Sequence, residues 1–409
     1  MADAAEQQRE QLNTGTKEVA ESHRFDEAAL AAWMEANVEG YQGPLEVRQF
    51  KGGQSNPTYQ LITPGKKYVM RRKPPGKLLP SAHAVDREYK VITALYPTGF
   101  PVARSYGLCT DEAVIGTMFY VMDMVEGRIL WDQQLPQYEP AERHAIFMAK
   151  INTLADLHNT DYQAIGLADY GKPGNYMGRQ VDRWTKQYKA SETVHIEEME
   201  RLIEWLPRTL PEQERTSIVH GDYRLDNMVI HPTEPRVIAV LDWELGTLGE
   251  PLADFTYLLM NWVNGSISQI PDLKAHGIPT IEEAVEAYCA RTGRSGLHHL
   301  DWFLSYNMFR LAGICQGIVG RVRDGTANSP QAAAMAELGA DGLIAMLQTQ
   351  FPVSQSGILS YFRGIAEAAA PLPIVLYTNP GLGSVDLTPA LVDTLGETPN
   401  IRYVKDATG

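Results

Sequence analysis

The chain has 409 residues and carries 36 Lys+Arg against 50 Asp+Glu, which gives a formal net charge of -14. This length predicts about two or three domains, and the acidic balance disfavours non-specific binding to nucleic acid or to anionic membrane surfaces. The 3 cysteines are far apart and form no Cys-x-x-Cys pair. The sequence therefore predicts neither a disulfide framework nor a zinc site, and it favours a reducing, cytoplasmic setting.

Residues 1–24 are polar and rich in Ala, Glu and Gln, and they lack the basic start and apolar core of a signal peptide. We expect them to form a flexible tail. No apolar run is long enough to span a bilayer, so no membrane span is predicted. From Phe25 onward the apolar spacing predicts a first amphipathic helix, carried by Leu30, Trp33, Met34 and Val38.

Two strand-like runs between Leu45 and Ile62 flank a glycine-containing turn. Because glycine has no Cβ, backbone amides in such a turn can approach phosphate oxygens closely. The same composition also suits an ordinary hairpin turn. The candidate phosphate-binding residues of this turn are Gly52, Gly53, Ser55 and Asn56.

The next strand-like run carries Arg71, whose guanidinium fork suits phosphate oxygens. The following residues predict a helix with Ser81 as N-cap, and this helix carries Glu88, a candidate to orient Arg71. Its apolar stripe is Val85, Tyr89, Ile92 and Tyr96. In the alternative interpretation Glu88 has no such role and three basic residues are solvated surface charge: Arg72, Lys73 and Arg87.

Farther along, a β-rich run delivers His220, a loop presents Asp222 and Asn227, and a second apolar run ends at Asp242. Two strand ends therefore bring three oxygen-bearing side chains toward one point. An aspartate can accept a hydroxyl proton, while an amide oxygen and a second carboxylate can hold the Mg²⁺ that bridges nucleotide phosphates. Each residue alone suits a turn, but the combination predicts phosphoryl transfer, with Asp222 as the base and Asn227 and Asp242 as metal ligands.

The motifs His220-Gly221-Asp222, Asn227 and Asp242-Trp243-Glu244 resemble those of the aminoglycoside phosphotransferase and choline kinase superfamily. The resemblance implies an α+β, two-lobed, protein-kinase-like fold, with a small β-sheet lobe at residues 25–125 and a helical lobe at 126–352. It implies transfer of the ATP γ-phosphoryl group, with Mg²⁺, to a hydroxyl of a small molecule. Arg71 would then take the place of the kinase lysine.

The same resemblance makes residues 118–127 the hinge between the lobes, where backbone groups from Asp123 to Val125 would contact adenine; these residues also suit a plain core strand. Asp254 resembles the aspartate that holds the catalytic loop through backbone hydrogen bonds. Helical stretches at residues 281–291, 297–322 and 330 to about 350 would complete the helical lobe.

Residues 157–162, 166–167, 171–173 and 179–184 resemble the branch associated with acyl-CoA dehydrogenases, which implies a hydroxyacyl-CoA acceptor. The basic turn at residues 71–77 would then contact phosphates of a coenzyme A thioester, although a basic loop is also simply hydrated. The alternatives are an aminoglycoside or choline-like amino-alcohol kinase, and a nucleotide-binding pseudokinase. His158 suits a packed histidine at a helix end better than a catalytic base.

Residues 353–409 resemble a fragment of the dihydrodipicolinate synthase and N-acetylneuraminate lyase family, class I aldolases on a (β/α)₈ barrel. The resemblance places a proton-relaying tyrosine at Tyr377 and a Schiff-base lysine at Lys405. Two strands cannot close a barrel, and without desolvation Lys405 stays protonated, so we expect a vestigial, inactive site. A cut after Pro352 is expected to leave phosphoryl transfer unchanged and to raise solubility or thermal stability.

Overall fold

The structure is a computed structural model that describes residues 14–51, 56–74, 84–193, 195–323, 343–345, 355–369, 374–378, 387–398 and 401–406. The chain divides into two compact units. The first comprises Met1–Met177 and Glu212–Leu304, and the second comprises Gly178–Pro211 and Ser305–Gly409. The first unit contains both motif segments, residues 218–227 and 237–244.

The β-sheet lobe is built on one antiparallel sheet with the strand order β1-β2-β3-β4-β6-β5. In β3, Tyr59 and Leu61 are buried while their neighbours are partly exposed, because one face packs on helix α1 and its surrounding apolar residues. The elements are β1 (Thr16–Lys17), α1 (Glu27–Asn37), β2 (Glu46–Phe50), β3 (Thr58–Ile62), β4 (Lys67–Arg72), α2 (Val85–Leu95), β5 (Ser105–Cys109) and β6 (Phe119–Asp123).

Residues 14–24 are part of this lobe, so the expected flexible tail is wrong for them; residues 1–13 lie outside the described residues. β1 pairs with the end of β2, and the His23 carbonyl accepts a hydrogen bond from Arg72 Nη2 at 2.8 Å. Arg72 is buried, and its guanidinium lies over the rings of Phe25 and Tyr59. Aromatic faces attract a cation, so Arg72 is an interior residue and not solvated surface charge.

Helix α2 begins later than the sequence suggested. Its N-cap is Ala84, which makes no side-chain capping bond, so Ser81 is not the cap and itself lies outside the described residues. Tyr96 is exposed because the α-helix ends at Leu95 and a 3₁₀ turn, Tyr96–Thr98, follows it. Tyr96 therefore does not continue the apolar face of α2. Glu88 is buried on the face that packs toward the sheet.

The helical lobe consists of α-helices and short strand pairs. In the first unit β7 pairs with β10, β8 pairs with β9, and α3 packs on α7. Across the described residues, no helix has the length and apolar character to cross a membrane. The elements are α3 (Pro140–Asn159), α4 (Tyr176–Ser191), α5 (Glu197–Arg208), β7 (Ser217–Val219), β8 (Met228–Ile230), β9 (Val237–Val240), β10 (Thr247–Gly249), α6 (Pro251–Asn264), α7 (Ile281–Thr292) and α8 (Leu300–Arg323).

In the C-terminal part of the second unit, three parallel strands form an open sheet in the order β11-β12-β13, and two helices accompany them. The expected helix from residue 330 to about 350 is wrong at its end, because β11 occupies residues 343–345 and pairs with β12. The described segment thus has three strands and not two. Its elements are β11 (Leu343–Ala345), α9 (Gln355–Ala369), β12 (Ile374–Thr378), α10 (Pro389–Gly396) and β13 (Ile401–Asp406).

One of the charged side chains buried in the helical lobe is a lysine. Lys150 of α3 is only 1% exposed. Burial lowers the pKa of Lys150 to about 8; Arg224 adds to this shift, and the Asp226 carboxylate opposes it. An ammonium ion in a desolvated position costs free energy, so Lys150 destabilises the fold whenever it is charged.

We therefore expect Lys150→Met to stabilise the protein at pH 7. The pKa falls from 10.5 to about 8 on folding, so the burial penalty is fully present below pH 8 and fades as pH rises toward 10.5. The gain at pH 7 should be on the order of 3 kcal/mol, and it should be clearly smaller at a pH near 9.5. Urea unfolding at the two pH values measures it, with exposed Lys274→Met as control. A loss of stability at pH 7, or an equal gain at both pH values, contradicts this account.

Candidate active site

Two strand ends bring the predicted side chains together. β7 leads into His220-Gly221-Asp222, a 3₁₀ turn at Leu225–Asn227 presents Asn227, and β9 leads into Asp242. The backbone N–H of Leu241 donates to the carbonyl of Asn227 at 2.8 Å, which joins the two segments directly. The structure thus places Asp222, Asn227 and Asp242 on two loops that share a hydrogen bond.

Asp222 is held by three side chains. Tyr257 Oη donates to its Oδ1 at 2.8 Å, and Asn227 Nδ2 donates to its Oδ2 at 3.1 Å. Asn227 Nδ2 also donates to the Asp222 carbonyl at 2.9 Å, and Arg224 Nε lies 3.3 Å from Oδ1. The carboxylate therefore has a fixed orientation, which a base that must meet one substrate proton requires.

The sequence motifs did not indicate Arg224 or Tyr257 as site residues. The Arg224 side chain is 41% exposed and also contacts Asp226, with Nη2 2.9 Å from its Oδ2. It is a cation two residues after the proposed base, and that proximity was the available signal. Tyr257 lies three residues after Asp254 on α6, a spacing that puts both residues on one helix face toward the same loop.

Asp254 holds the loop at residues 220–222 through backbone hydrogen bonds, as the sequence predicted. Its carboxylate accepts backbone N–H groups of His220 and Gly221, the latter at 2.9 Å. His220 Nε2 lies 2.8 Å from the Leu241 carbonyl, and its Nδ1 lies 3.2 Å from the Asp222 backbone nitrogen. A carbonyl only accepts and an N–H only donates, so the bonds require the tautomer protonated at Nε2. His220 is thus a neutral link between the two loops.

Gly221 is required at its position for two reasons. Its φ is +84°, in the left-handed region, and a Cβ there would lie 2.9 Å from Leu245 Cβ.

Asp242 has φ 62° and ψ 67°, which is uncommon for a residue other than glycine. The buried Trp243 ring next to it donates Nε1–H to the Val240 carbonyl at 3.0 Å and lies 4.8 Å from the His220 ring. Surrounding packing therefore supports the strained conformation of Asp242.

Arg71 of β4 links this loop to α2. Its Nη2 donates to Asp242 Oδ1 at 2.9 Å, and its Nε lies 3.3 Å from Glu88 Oε2. Burial alone lowers the pKa of the Arg71 guanidinium, but Glu88 and Asp242 outweigh that effect and hold the pKa above its ordinary value. Arg71 therefore stays charged, and it fixes two carboxylates from separate elements around one cation.

Glu88 is the most enclosed member of this group. Asn56 Nδ2 donates to its Oε1 at 2.8 Å and Tyr120 Oη donates to its Oε2 at 3.0 Å. Burial raises the pKa of Glu88 to about 7, against the opposing charge of Arg71 and with help from Asp242. Asn56, expected to contact the nucleotide, is fully buried and points its amide nitrogen at Glu88. Three other expected loop residues lie outside the described residues: Gly52, Gly53 and Ser55.

The group offers a set of oxygen ligands suited to a hard cation. Carboxylate oxygens of Glu88, Asp242 and Glu244 lie within 4.8 Å of one another. Asn227 uses its Nδ2 toward Asp222, so its Oδ1 is the amide atom left for a cation. Oxygen ligands with this excess of negative charge fit Mg²⁺.

The segment expected to be the hinge is partly occupied by its own hydrogen bonds. Asp123 N–H donates to the Arg104 carbonyl at 2.8 Å, and the Asp123 carboxylate accepts from Tyr106 Oη and Lys66 Nζ, each at 2.7 Å. The side chain of Asp123 thus faces the turn between β3 and β4. Of the predicted hinge pair, Val125 is the residue whose backbone groups no hydrogen bond in the described structure engages.

Two further predicted sites involve His158 and the pair Tyr377 and Lys405. His158 is buried at the end of α3, where its Nδ1 lies 2.7 Å from Tyr288 Oη, as expected for a packed histidine. Burial lowers the pKa of its imidazole. Tyr377 and Lys405 are in the second unit, directly opposite each other on the neighbouring parallel strands β12 and β13.

The chain resembles known proteins in two separate regions. Residues 46–301 match the family described as Phosphotransferase enzyme family, and residues 320–409 match the Dihydrodipicolinate synthetase family. A relative of the second family is also similar to this chain. The chain is 35% identical over 127 residues to a 4-hydroxy-tetrahydrodipicolinate synthase of Synechocystis sp., and the match covers 30% of this chain and 42% of that protein.

For the larger region, the chain is 44% identical over 321 residues to human acyl-CoA dehydrogenase family member 11. That match covers 75% of this chain and 41% of the relative, so the chain spans about two fifths of that protein. A crystal structure from Ralstonia eutropha JMP134, named as a candidate aminoglycoside phosphotransferase, is 54% identical, with a TM-score of 0.70 over 77% of this chain and 94% of that one. The chain therefore belongs to the phosphotransferase enzyme family and has its kinase-like fold, with one β-sheet lobe and one helical lobe.

Proposed function

We propose that the protein transfers the γ-phosphoryl group of ATP to a hydroxyl of a small molecule, with Asp222 as the base. One observation carries this proposal: Asn227 makes hydrogen bonds both to the Asp222 carboxylate, through its side chain, and to the segment that presents Asp242, through its backbone carbonyl. The proposed base, Asp222, and the proposed metal ligand, Asp242, are therefore held at a fixed distance from each other. Phosphoryl transfer depends mainly on such positioning and on charge neutralisation.

In the proposed reaction the acceptor hydroxyl gives its proton to Asp222 as its oxygen bonds to the γ-phosphorus. The bond between that phosphorus and the β–γ bridging oxygen breaks, and ADP leaves with the electron pair. Tyr257 and Asn227 orient Asp222 for the proton, and Arg71 offers its guanidinium to phosphate oxygens. Asp242, Asn227 and Glu244 would hold Mg²⁺, which supplies positive charge for the phosphates.

Substitution of the base tests the reaction. Asp222→Asn keeps the size of the side chain and one oxygen that can accept from Tyr257, but it removes the ability to take a proton at neutral pH. We expect phosphoryl transfer to fall at least about a hundredfold while ADP binding and thermal unfolding stay near wild type. Asp182→Asn, in an exposed ion pair with Lys186, is the matched control and should leave the rate unchanged. Unaltered turnover in folded Asp222→Asn rejects the assignment of the base.

For the acceptor, we propose a hydroxyacyl-CoA. The support is the 44% identity with part of a relative whose name places it among acyl-CoA dehydrogenases. An aminoglycoside or a choline-like amino alcohol is the alternative within the same chemistry, and a pseudokinase that binds nucleotide without turnover is the alternative outside it. An ATP-consumption screen over hydroxyacyl-CoAs, amino alcohols and aminoglycosides, with Asp222→Asn as blank, separates the three. Turnover with none of the acceptors, despite nucleotide binding, favours the pseudokinase.

We further propose that the C-terminal segment is a partial aldolase-like unit without Schiff-base activity. The open sheet of β11, β12 and β13 supports this, because it encloses no barrel interior in the described residues that would desolvate Lys405. Borohydride reduction in the presence of pyruvate should leave the protein unlabelled. Covalent labelling at Lys405 would contradict the proposal.

The position of β11 sharpens the expected effect of removing this segment. A chain that ends at residue 352 keeps β11 but loses its partner β12, whereas a chain that ends at residue 323 stops where α8 ends. We expect both chains to keep phosphoryl transfer. The chain ending at residue 352 should aggregate more than the chain ending at residue 323, because it leaves the apolar strand β11 without its partner. Static light scattering and initial rates measure the two effects. Loss of transfer in the chain ending at residue 323 would show that the segment supports the phosphotransferase.

A further inference from the structure

Beside the candidate site, α2 is fastened by a residue that takes no part in the proposed chemistry. Arg87 directly precedes Glu88, and its Nη2 donates to the Tyr170 carbonyl at 2.6 Å and to the Gly246 carbonyl at 3.2 Å. The guanidinium also lies 4.6 Å from the centre of the Tyr170 ring. One side chain thus joins α2 to the segment at residues 167–176 and to the loop that follows Asp242.

The contact between that segment and the metal-motif loop is unusually close. A Cβ on Gly246 would lie 2.6 Å from Tyr170 Oη, and a Cβ on Gly171 would lie 2.4 Å from Thr247 Oγ1. Both distances are shorter than a side-chain carbon tolerates, so glycine at these two positions lets the segments touch. Tyr170 is buried, and it therefore offers Arg87 a rigid carbonyl and ring.

The geometry points to Arg87 as a positioning residue that locks α2 where Glu88 meets Arg71; this inference rests on the proposed function. Hydrogen bonds from a guanidinium to two carbonyls are charge-assisted and directional, and they fix both the position and the rotation of the helix. Glu88 is one residue away, so any rotation of α2 displaces its carboxylate from Arg71. The 167–176 segment thereby keeps Glu88 next to Arg71.

A double-mutant cycle on the full-length protein tests this. Arg87→Met, Glu88→Gln and the double variant are compared by calorimetric titration with MgADP. If Arg87 acts through Glu88, each single variant should weaken MgADP binding about tenfold. The double variant should then bind no more weakly than the weaker-binding of the two single variants, because the effects of coupled residues do not add. Additive losses, or unchanged binding in Arg87→Met, overturn the inference. Arg87→Lys, which keeps the charge but not the fork, should fall between wild type and Arg87→Met.

Two controls separate the lock from general damage. Lys90→Met removes the exposed contact of the same helix with Asp169 and should change binding less than about twofold, because surface ion pairs contribute little. Tyr170→Phe keeps the ring and carbonyl, loses a hydroxyl that has no hydrogen-bond partner among the described residues, and should also bind normally.

Hydrogen exchange of α2 gives a readout that needs no nucleotide. Amides of residues 85–95 should exchange faster in Arg87→Met than in Lys90→Met. Equal exchange rates in the two variants overturn the inference that Arg87 holds α2 in place. If the wild-type protein fails to bind MgADP, the proposed function is rejected, and exchange of α2 alone then decides for or against the lock.

Discussion

The site depends on one buried cation, Arg71, which two carboxylates from different parts of the chain share. Burying an arginine is costly, and such groups are weak contributors to net stability even when paired. Here the guanidinium meets Glu88 at 3.3 Å and Asp242 at 2.9 Å, so it connects the β-sheet lobe with the loop after β9. This arrangement is better explained by the phosphates and the metal that the group is proposed to handle than by stability.

The second constraint is the hydrogen-bonded frame beneath the two loops. The Asp254 carboxylate accepts hydrogen bonds from the backbone N–H groups of His220 and Gly221, and the His220 side chain is hydrogen-bonded to the Leu241 carbonyl. None of these hydrogen bonds involves a group that takes part in the proposed reaction. The frame therefore uses none of the side-chain oxygens of Asp222 and Asp242, while it holds their two loops together, as preorganised catalysis requires.

Short motifs predicted that Asp222, Asn227 and Asp242 would lie near one another, and the structure places them on two loops joined by a hydrogen bond. Their roles as base and metal ligands stay a prediction. Asp222, Asn227 and Asp242 are close to one another in two motif segments, and Asp254 follows at the start of a helix. Contacts made across long separations were not predictable in the same way. Glu88 takes a bond from Asn56, 32 residues earlier. Asp222 takes one from Tyr257, 35 residues later. No local pattern encodes the pairing of Asn56 with Glu88, and the spacing of Asp254 and Tyr257 indicates only that both lie on one face of α6.

Tertiary contacts also overrode local patterns elsewhere in the chain. Arg72 is adjacent to other basic residues and reads as surface charge, yet the rings of Phe25 and Tyr59 enclose it. Residues 343–345 fit a helical stretch by their spacing, but a parallel partner some 30 residues later in the chain makes them a strand. A strand inside a parallel sheet gains its stability from such partners, and its own sequence specifies it weakly.

The most direct test of the shared cation and metal group is the Mg²⁺ dependence of ADP binding by wild type and Asp242→Asn, measured by calorimetry with and without Mg²⁺. The wild-type protein should bind ADP at least about tenfold more tightly with Mg²⁺, because the metal neutralises phosphate charge beside Asp242. The variant should lose most of that dependence while Arg71 still supports metal-free binding. The same Mg²⁺ dependence in both proteins would contradict the account.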